Sequence, residues 1–506
     1  MHPSTLAKRV YLLLFAIIVV FYFYGLGKLP LLGPDEPRYA QVAREMFLNH
    51  DLITPRLGGH TWFEKPALLY WMIVGAFKVF GVSEWSARLG PAICGLLTVI
   101  AVWFVAREVD GAPIWSAAAW RRFGIDLELR EQSGARPPHS KLAPNFAFWA
   151  LIVTATCLGL IVFSRAASFD VVITMTTTWS LAFFLLHELP STKSKRLLLA
   201  GFYVFVGVSL LAKGLVGIVI PFGVVGSYYV LRRAWPQRSV WLSLVWGVPL
   251  ALLVSAVWYG PVIARHGWTF IDEFFVQHHF ARYISNKYHH PQPFYFYPVI
   301  ILMLALPWTV HLIIALVKAR NWQWRGADSI SIVRVFALAW LLLPIVFFSF
   351  SGSKLPGYIL PVVPAVALLV ADRLTVVQKT RWPLVIAGAT VVLVVIVLNF
   401  AAAPFARRES VKDLLALADA RGYANTPVIA RRGDDRSAEF YAYGRVLYRA
   451  DGEVLTFDEI TVDEARTRGA KFVVFIPVQY VENYRGAPRI EIIGDNGHTA
   501  VLGWQP

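Results

Sequence analysis

The chain has 506 residues, of which 57% are hydrophobic and only 16% charged, whereas a soluble domain carries roughly a quarter charged residues. That deficit excludes an ordinary soluble enzyme, and repeated apolar runs of about 17–22 residues point to a polytopic membrane protein. The net charge of +16 would suit a nucleic-acid binder, but the basic residues cluster in short loops between apolar runs. The charge therefore reports topology and implies no nucleic-acid partner.

In chain order, Lys8 and Arg9 precede a first apolar run over residues 10–25. No small-residue cleavage site follows it, so it is expected to persist as a span. Residues 66–80 form a short amphipathic run, expected to lie at or dip into the membrane interface. Further spans are expected over 89–106, 143–163, 171–187, 197–212, 215–231, 240–259, 298–317, 335–350, 358–371 and 383–400. The basic loops around Arg121, Lys193, Arg232, residues 318–334 and residues 373–381 must share the cytoplasmic side with Lys8. Eleven spans satisfy this, or up to 13 if short ones are hidden, with the tail outside. Residues 110–141 are a mixed-charge cytoplasmic insertion that reads as a solvated loop.

From residue 402 the composition turns soluble. Ser410-x-x-Asp413 reads as a capping box before a periodic helix. The β-rich runs "TPVIA" and "KFVVFIPV", separated by the helical "TVDEARTRG", read as a small α/β domain over 402–506 on the outer, periplasmic face. The expected fold class is an all-α polytopic membrane domain over 1–401 with that small domain appended. Cys94 and Cys157 both fall in apolar runs and offer neither a disulfide framework nor metal-type spacing.

Several charges are not explained by topology, and all fall on the outer side. The first outer loop, "LLGPDEPRYAQVAREMF", carries Asp35, Glu36 and Arg38, with Glu64 and Lys65 further on. Arg165 and Asp170 sit where the third span meets the fourth, and Lys213 interrupts "LLAKGLVG". "FFVQHHFARY" supplies His278, His279 and Arg282, and "SGSKLPGY" supplies Lys354 and Tyr358. A charge beside hydrocarbon costs a few kcal/mol unless it faces a cavity or a partner. Simpler readings exist: Lys213 snorkelling, Arg38 and Arg282 on lipid head groups, Lys354 as a turn residue, and the histidine pair as a polar loop rather than metal ligands. Asp35 and Asp170 are harder to dismiss, because a carboxylate gains nothing from anionic lipid.

Outside the cytoplasmic membrane there is no ATP and no sugar nucleotide, so group transfer there needs an activated donor delivered through the bilayer. A polyprenyl-phosphate sugar fits: the tail takes a groove between spans and the phosphate takes Lys and Arg. Fixed cations would stabilise that phosphate as it leaves. A carboxylate opposite would deprotonate an acceptor hydroxyl or stabilise positive charge on the sugar carbon.

The stretch "GLGKLPLLGPDEPRYAQVAREMFLNHDLITPRLGGHTWFEKPALLYWM" resembles the first outer loop of the ArnT-like, dolichyl-phosphate-mannose-type glycosyltransferases of the GT-C fold. "FSRAASFDVVIT", "LLAKGLVGIVIP" and "FSFSGSKLPGYILPVVPA" are similar to later motifs of that family, in the same order. The resemblance implies a multi-pass protein of the bacterial inner membrane with its site facing the periplasm. It implies an undecaprenyl-phosphate sugar donor, 4-amino-4-deoxy-L-arabinose as the sugar, and lipid A or another envelope acceptor, all handled among membrane lipids. Asp35 is then the leading catalytic carboxylate, with Glu36 beside it and Asp170 the second acidic site. Lys65 and Arg282 match donor-phosphate positions, Lys213, Lys354 and Tyr358 line the same cavity, and Arg38 and Tyr39 flank Asp35. Glu64 with His278 resembles a metal position, zinc-like, which could be structural. The insertion over 110–141 and the short outer domain depart from the pattern. Two rivals remain: transfer to a protein hydroxyl or another glycan, and a transporter. A transporter would want its charges near mid-span and paired broken helices.

Overall fold

The computed structural model describes residues 3–111, 146–281, 292–377, 381–429, 436–449, 452, 454, 455 and 471–505. Nearly all of the insertion over 110–141, Arg282 and the "TVDEARTRG" segment lie outside the described residues. Among those described, seven helices are long and apolar enough to cross a membrane: Glu84–Val109, Phe169–Glu188, Lys195–Lys213, Arg238–His278, Ser329–Ser349, Pro356–Val376 and Trp382–Arg408. Four shorter apolar helices accompany them, Arg9–Phe23, Leu68–Phe80, Phe146–Thr156 and Val216–Arg232. The chain divides into two compact units, Met1–Val19 with Ile93–Phe163 and Phe169–Val391, and Val20–Ala92 with Ser164–Ser168 and Val392–Pro506.

The first unit is helical. Phe169–Glu188 packs along Lys195–Lys213 and is buried on nearly every face. Several of its buried hydroxyls find carbonyls, Thr174 donating to Asp170 O, Thr178 to Thr174 O and Ser180 to Phe202 O, whereas Thr177 Oγ1 finds no partner among the described residues. Phe184 joins the two helices through Phe202 and stacks on Phe336. Two expected spans are broken. The run 298–317 becomes Phe296–Leu304 and Thr309–Val317, interrupted at Pro307, which has no N–H to continue the ladder. The run 143–163 becomes Phe146–Thr156 and Leu158–Phe163. The breaks satisfy each other: Leu158 N donates to Leu306 O at 2.7 Å, and Trp308 Nε1 donates to Thr156 Oγ1 at 3.0 Å.

The second unit is built around one buried ion pair. Arg88, in the first turns of Glu84–Val109, donates through Nε and Nη2 to the two oxygens of Glu36 at 2.9 and 2.7 Å. Its Nη1 reaches Leu26 O and Leu29 O, and Nη2 also reaches Pro30 O. Glu36 in turn accepts from Leu32 N and Ala167 N. The loop after the first span, the Asp35–Leu48 helix and the Ser164–Ser168 link therefore meet at one fully used carboxylate.

The remainder of this unit is the C-terminal region. Its four-stranded sheet has the order β3-β4-β6-β5, where β3 is Val428–Ile429, β4 Phe472–Pro477, β5 Ile490–Asp495 and β6 Thr499–Trp504. Strand β3 is parallel to β4 and the other pairs are antiparallel. (β1 Arg56–Leu57 and β2 His60–Thr61 form a small hairpin in the first outer loop.) The α/β character expected after 402 is present, with "KFVVFIPV" as β4, while "TPVIA" contributes only two strand residues. The capping box does not form. The helix is Lys412–Ala418, and the Ser410 hydroxyl accepts from Lys412 N, two residues on, rather than from position 413. Asp413 lies 3.8 Å from Arg407 on the surface.

Removing one partner of a buried, fully hydrogen-bonded pair leaves the other charge uncompensated, at about 3–5 kcal/mol. Arg88→Ala should therefore lower the thermal unfolding midpoint of the detergent-solubilised protein sharply. Arg88→Lys, which keeps the charge but not the planar fork, should fall between. An unchanged midpoint in Arg88→Ala would remove this pair from the account.

Candidate functional site

In the second unit, Asp35 opens the Asp35–Leu48 helix directly after Pro34, and no side chain caps that end. Its carboxylate is 52% exposed and accepts from Arg38 Nη2, one helical turn on. The Arg38 guanidinium is also 3.4 Å from Glu64 Oε2, while Lys65 Nζ donates to Glu64 Oε1 at 2.7 Å. It lies against two aromatic faces, 5.3 Å from the Tyr39 centroid and 5.5 Å from that of Trp62. Burial alone would weaken the Arg38 charge, but Glu64, Tyr39 and Asp35 outweigh it and its pKa stands above the ordinary arginine value. Burial, reinforced by Asp35 and Glu64, also pushes the Tyr39 phenol well above its usual range, so it stays neutral. Five sequence candidates thus form one alternating chain of charge: Asp35, Arg38, Glu64 and Lys65, with Tyr39 alongside.

Glu36 does not join them. Adjacent helical residues project about 100° apart, so where Asp35 points outward Glu36 turns in to Arg88 and is 7% exposed. Both of its oxygens are occupied. The structure thus places Glu36 apart from the Asp35 cluster, in the Arg88 network. Arg165 is likewise engaged, donating to Phe21 O at 2.6 Å with its guanidinium over the Phe21 ring.

The first unit holds a second carboxylate–cation pair. Asp170 sits in the first turn of Phe169–Glu188, and Lys213, the last residue of Lys195–Lys213, donates to its Oδ1. The Lys213 ammonium lies 4.7 Å from the Tyr358 ring centroid. Gly357 makes this packing possible: a Cβ there would stand 1.9 Å from Asp170 Oδ2. Lys354 is buried and its Nζ donates to Ser351 O at 2.8 Å, inside its own turn. His278 belongs to the distorted Asp272–Ala281 segment; Arg282 is outside the described residues. Among the described residues no group of three or more His, Cys, Asp or Glu side chains could hold a metal ion. The two Glu64 carboxylate oxygens face Lys65 and Arg38. No step below runs through a metal.

The long apolar helices define the class, a multi-pass helical membrane protein. The structure matches the crystal structure of ArnT from Cupriavidus metallidurans bound to undecaprenyl phosphate, with a TM-score of 0.74, 21% identity and 98% of each chain covered. At that identity the likeness establishes the fold. In sequence, residues 64–120 match the dolichyl-phosphate-mannose-protein mannosyltransferase family. The chain is 31% identical over 370 residues to an undecaprenyl phosphate-alpha-4-amino-4-deoxy-L-arabinose arabinosyl transferase of Pseudomonas aeruginosa (strain LESB58), covering 72% of this chain and 58% of that one. It is 29% identical over 371 residues to a transferase of the same name from Edwardsiella ictaluri (strain 93-146), covering 71% and 60%. The chain thus spans about three-fifths of the length of these curated relatives. It is a multi-pass membrane protein related to this family in sequence and alike in fold, as its loop motifs indicated.

Two residues of consequence escaped the sequence reading. Arg88 offered a signal, an ionisable group at the start of an apolar span. Glu439, described below, offered none. The packing at Gly357 also carries its own test. Gly357→Ala should cost about 1–3 kcal/mol by overpacking against Asp170. Gly226→Ala, in a helix with nothing within 4 Å of the added methyl, should be neutral or slightly stabilising. Thermal unfolding of the two variants in detergent checks this, and equal midpoints would contradict the close approach.

Proposed function

We propose that this chain transfers 4-amino-4-deoxy-L-arabinose from undecaprenyl phosphate to a phosphate of lipid A at the periplasmic face of the bacterial inner membrane. The observation that carries the reading is the 31% identity over 370 residues to the Pseudomonas arabinosyl transferase. The carboxylate–cation pairs supply chemistry that suits it.

In the proposed step a lipid A phosphate oxygen attacks the anomeric carbon, the bond from that carbon to the donor phosphate oxygen breaks, and undecaprenyl phosphate leaves with the electron pair. The acceptor phosphate is already anionic, so no proton has to be removed. Asp35, held by Arg38, orients the sugar and stabilises positive charge developing on its ring. Fixed cations neutralise the donor phosphate as its charge grows, the candidates being Lys65, Lys213, Lys354 and Arg282, each taken separately. A serine or threonine acceptor would instead need a positioned base. The cations beyond the two that one phosphate needs favour an acceptor that brings a second phosphate.

Overexpression in a strain that makes the donor should add a pentosamine increment to lipid A by mass spectrometry. Asp35→Asn, which removes charge and keeps size, should reduce that increment by about 100-fold or more. If lipid A is unchanged while a protein or another glycan gains the sugar, the acceptor is the runner-up. Near-normal transfer by Asp35→Asn would end the catalytic role of that carboxylate.

The proposed orientation is tested separately. Single cysteines placed at the exposed positions 35 and 424 should react with an impermeant maleimide in intact spheroplasts. Protection of both until the membrane is opened would reverse the sides.

A further inference from the structure

The C-terminal region supplies a buried acid that the proposed reaction does not yet use. Glu439 lies on the one-turn helix Ser437–Tyr441 and is 1% exposed. That helix packs against the Asp35–Leu48 helix within the second unit. The packing is pinned at several points. Tyr441 OH accepts from Leu31 N at 2.8 Å, and Arg44 Nη1 donates to Phe440 O at 3.1 Å with its guanidinium 4.1 Å from the Tyr443 ring centroid. Gly58 admits the Tyr448 ring, which a Cβ would meet at 2.4 Å.

The acid so placed is poorly satisfied. Among the described residues its Oε1 has long contacts, 3.4 Å to Arg436 Nη1 and 3.4 Å to Tyr448 OH. Its Oε2 is buried and has no hydrogen-bond partner among the described residues. A carboxylate buried this way stabilises little by itself; its influence lies in its field. The charged and titratable groups that face it are Arg436 and Tyr448 from the C-terminal region, and Arg38 and Glu45 from the first-loop helix. Glu45 is already held by Gln41 and by Gly58 N and Gly59 N. Arg436 and Arg38 both lie against the ring of Trp62, at 5.7 and 5.5 Å. Arg38 Nε is buried and has no hydrogen-bond partner among the described residues. Arg38 therefore stands between the pair it makes with Asp35 and the field of Glu439.

We propose that Glu439 is a positioning residue for the Asp35–Arg38 pair, by which the C-terminal region sets how much of the Arg38 charge is spent on Asp35. The idea rests on the proposed transfer reaction and extends it to a residue outside the loop motifs. When Glu439 is ionised it draws on Arg38, leaving Asp35 more of its negative charge for the sugar. When Glu439 is protonated, Arg38 is committed to Asp35 and Glu64. Burial pushes the Glu439 carboxyl up to about 7, against the opposing pull of Arg436 and Arg38, so the change falls near neutral pH.

A carboxyl whose pKa is raised on folding contributes stability fully present below its unfolded value and lost as pH rises through about 7. Glu439→Gln, isosteric and uncharged, should therefore flatten the dependence of the unfolding midpoint on pH between about 5 and 8.

The deciding experiment measures transfer by full-length protein in nanodiscs, from undecaprenyl-phosphate aminoarabinose to lipid A, across pH 6 to 8.5. In the wild type kcat should rise through a step near pH 7. In Glu439→Gln that step should vanish, with kcat held at its low-pH level and KM for the donor little changed. The difference above pH 7.5 should be about 3- to 10-fold, the scale of a charge coupling of up to one pKa unit. Glu439→Asp, which restores the charge, should recover part of the step. A Glu439→Gln profile that superimposes on the wild type, or a variant that loses only thermal stability, overturns the positioning role while the transfer reading stands. No transfer by the wild type at any pH overturns both.

Discussion

The Arg88–Glu36 ion pair is the constraint on which the loop after the first span depends. One guanidinium closes on both oxygens of one carboxylate and on three backbone carbonyls, and the same carboxylate takes the Leu32 and Ala167 amides. An incomplete network of this kind would destabilise the fold, because buried charge is tolerated only when its hydrogen-bonding groups are used. Complete, it fixes where the Asp35–Leu48 helix begins. Asp35 directly precedes that anchored residue, and Arg165 lies two residues before Ala167, whose amide Glu36 holds.

The two carboxylate–cation pairs share one design. Each acid sits in the first turn of a helix, where exposed N–H groups favour negative charge. Each is met by a basic side chain lying on aromatic rings: Arg38 on Tyr39 and Trp62, Lys213 on Tyr358. The aromatic faces hold the cations without neutralising them, and the acids keep them from wandering to lipid head groups. For the proposed transfer, a pair so held would be preorganised for charge that appears only during reaction, which is where fixed electrostatics contribute most to rate.

Much of this was legible in the sequence, and the failures have physical causes. Hydropathy located the spans, since burial in lipid demands long apolar runs whatever the tertiary contacts. It did not foresee the breaks near Cys157 and Pro307, because the Leu158 amide is satisfied by a carbonyl nearly 150 residues away. The loop motifs brought Asp35, Arg38, Tyr39, Glu64 and Lys65 to notice together, and the structure joins them. They also promoted Glu36 by adjacency, although a helix start turns neighbouring side chains to different sides. Lys354 kept its place in the motif, yet its ammonium folds onto the carbonyl of Ser351. Ser410 and Asp413 had the spacing of a capping box, but the helix starts at Lys412. Glu439 belongs to no motif, because what matters about it is a tertiary contact with a helix some 400 residues earlier.

The proposed transfer of a sugar from one lipid phosphate to another phosphate can be read from its stoichiometry. Purified protein in nanodiscs would be given undecaprenyl phosphate bearing an isotope-labelled aminoarabinose, with and without lipid A. The account predicts that free undecaprenyl phosphate appears one for one with label on lipid A phosphate, and that release falls to background when lipid A is omitted. Release at the same rate without lipid A, or no release with it, would contradict the account.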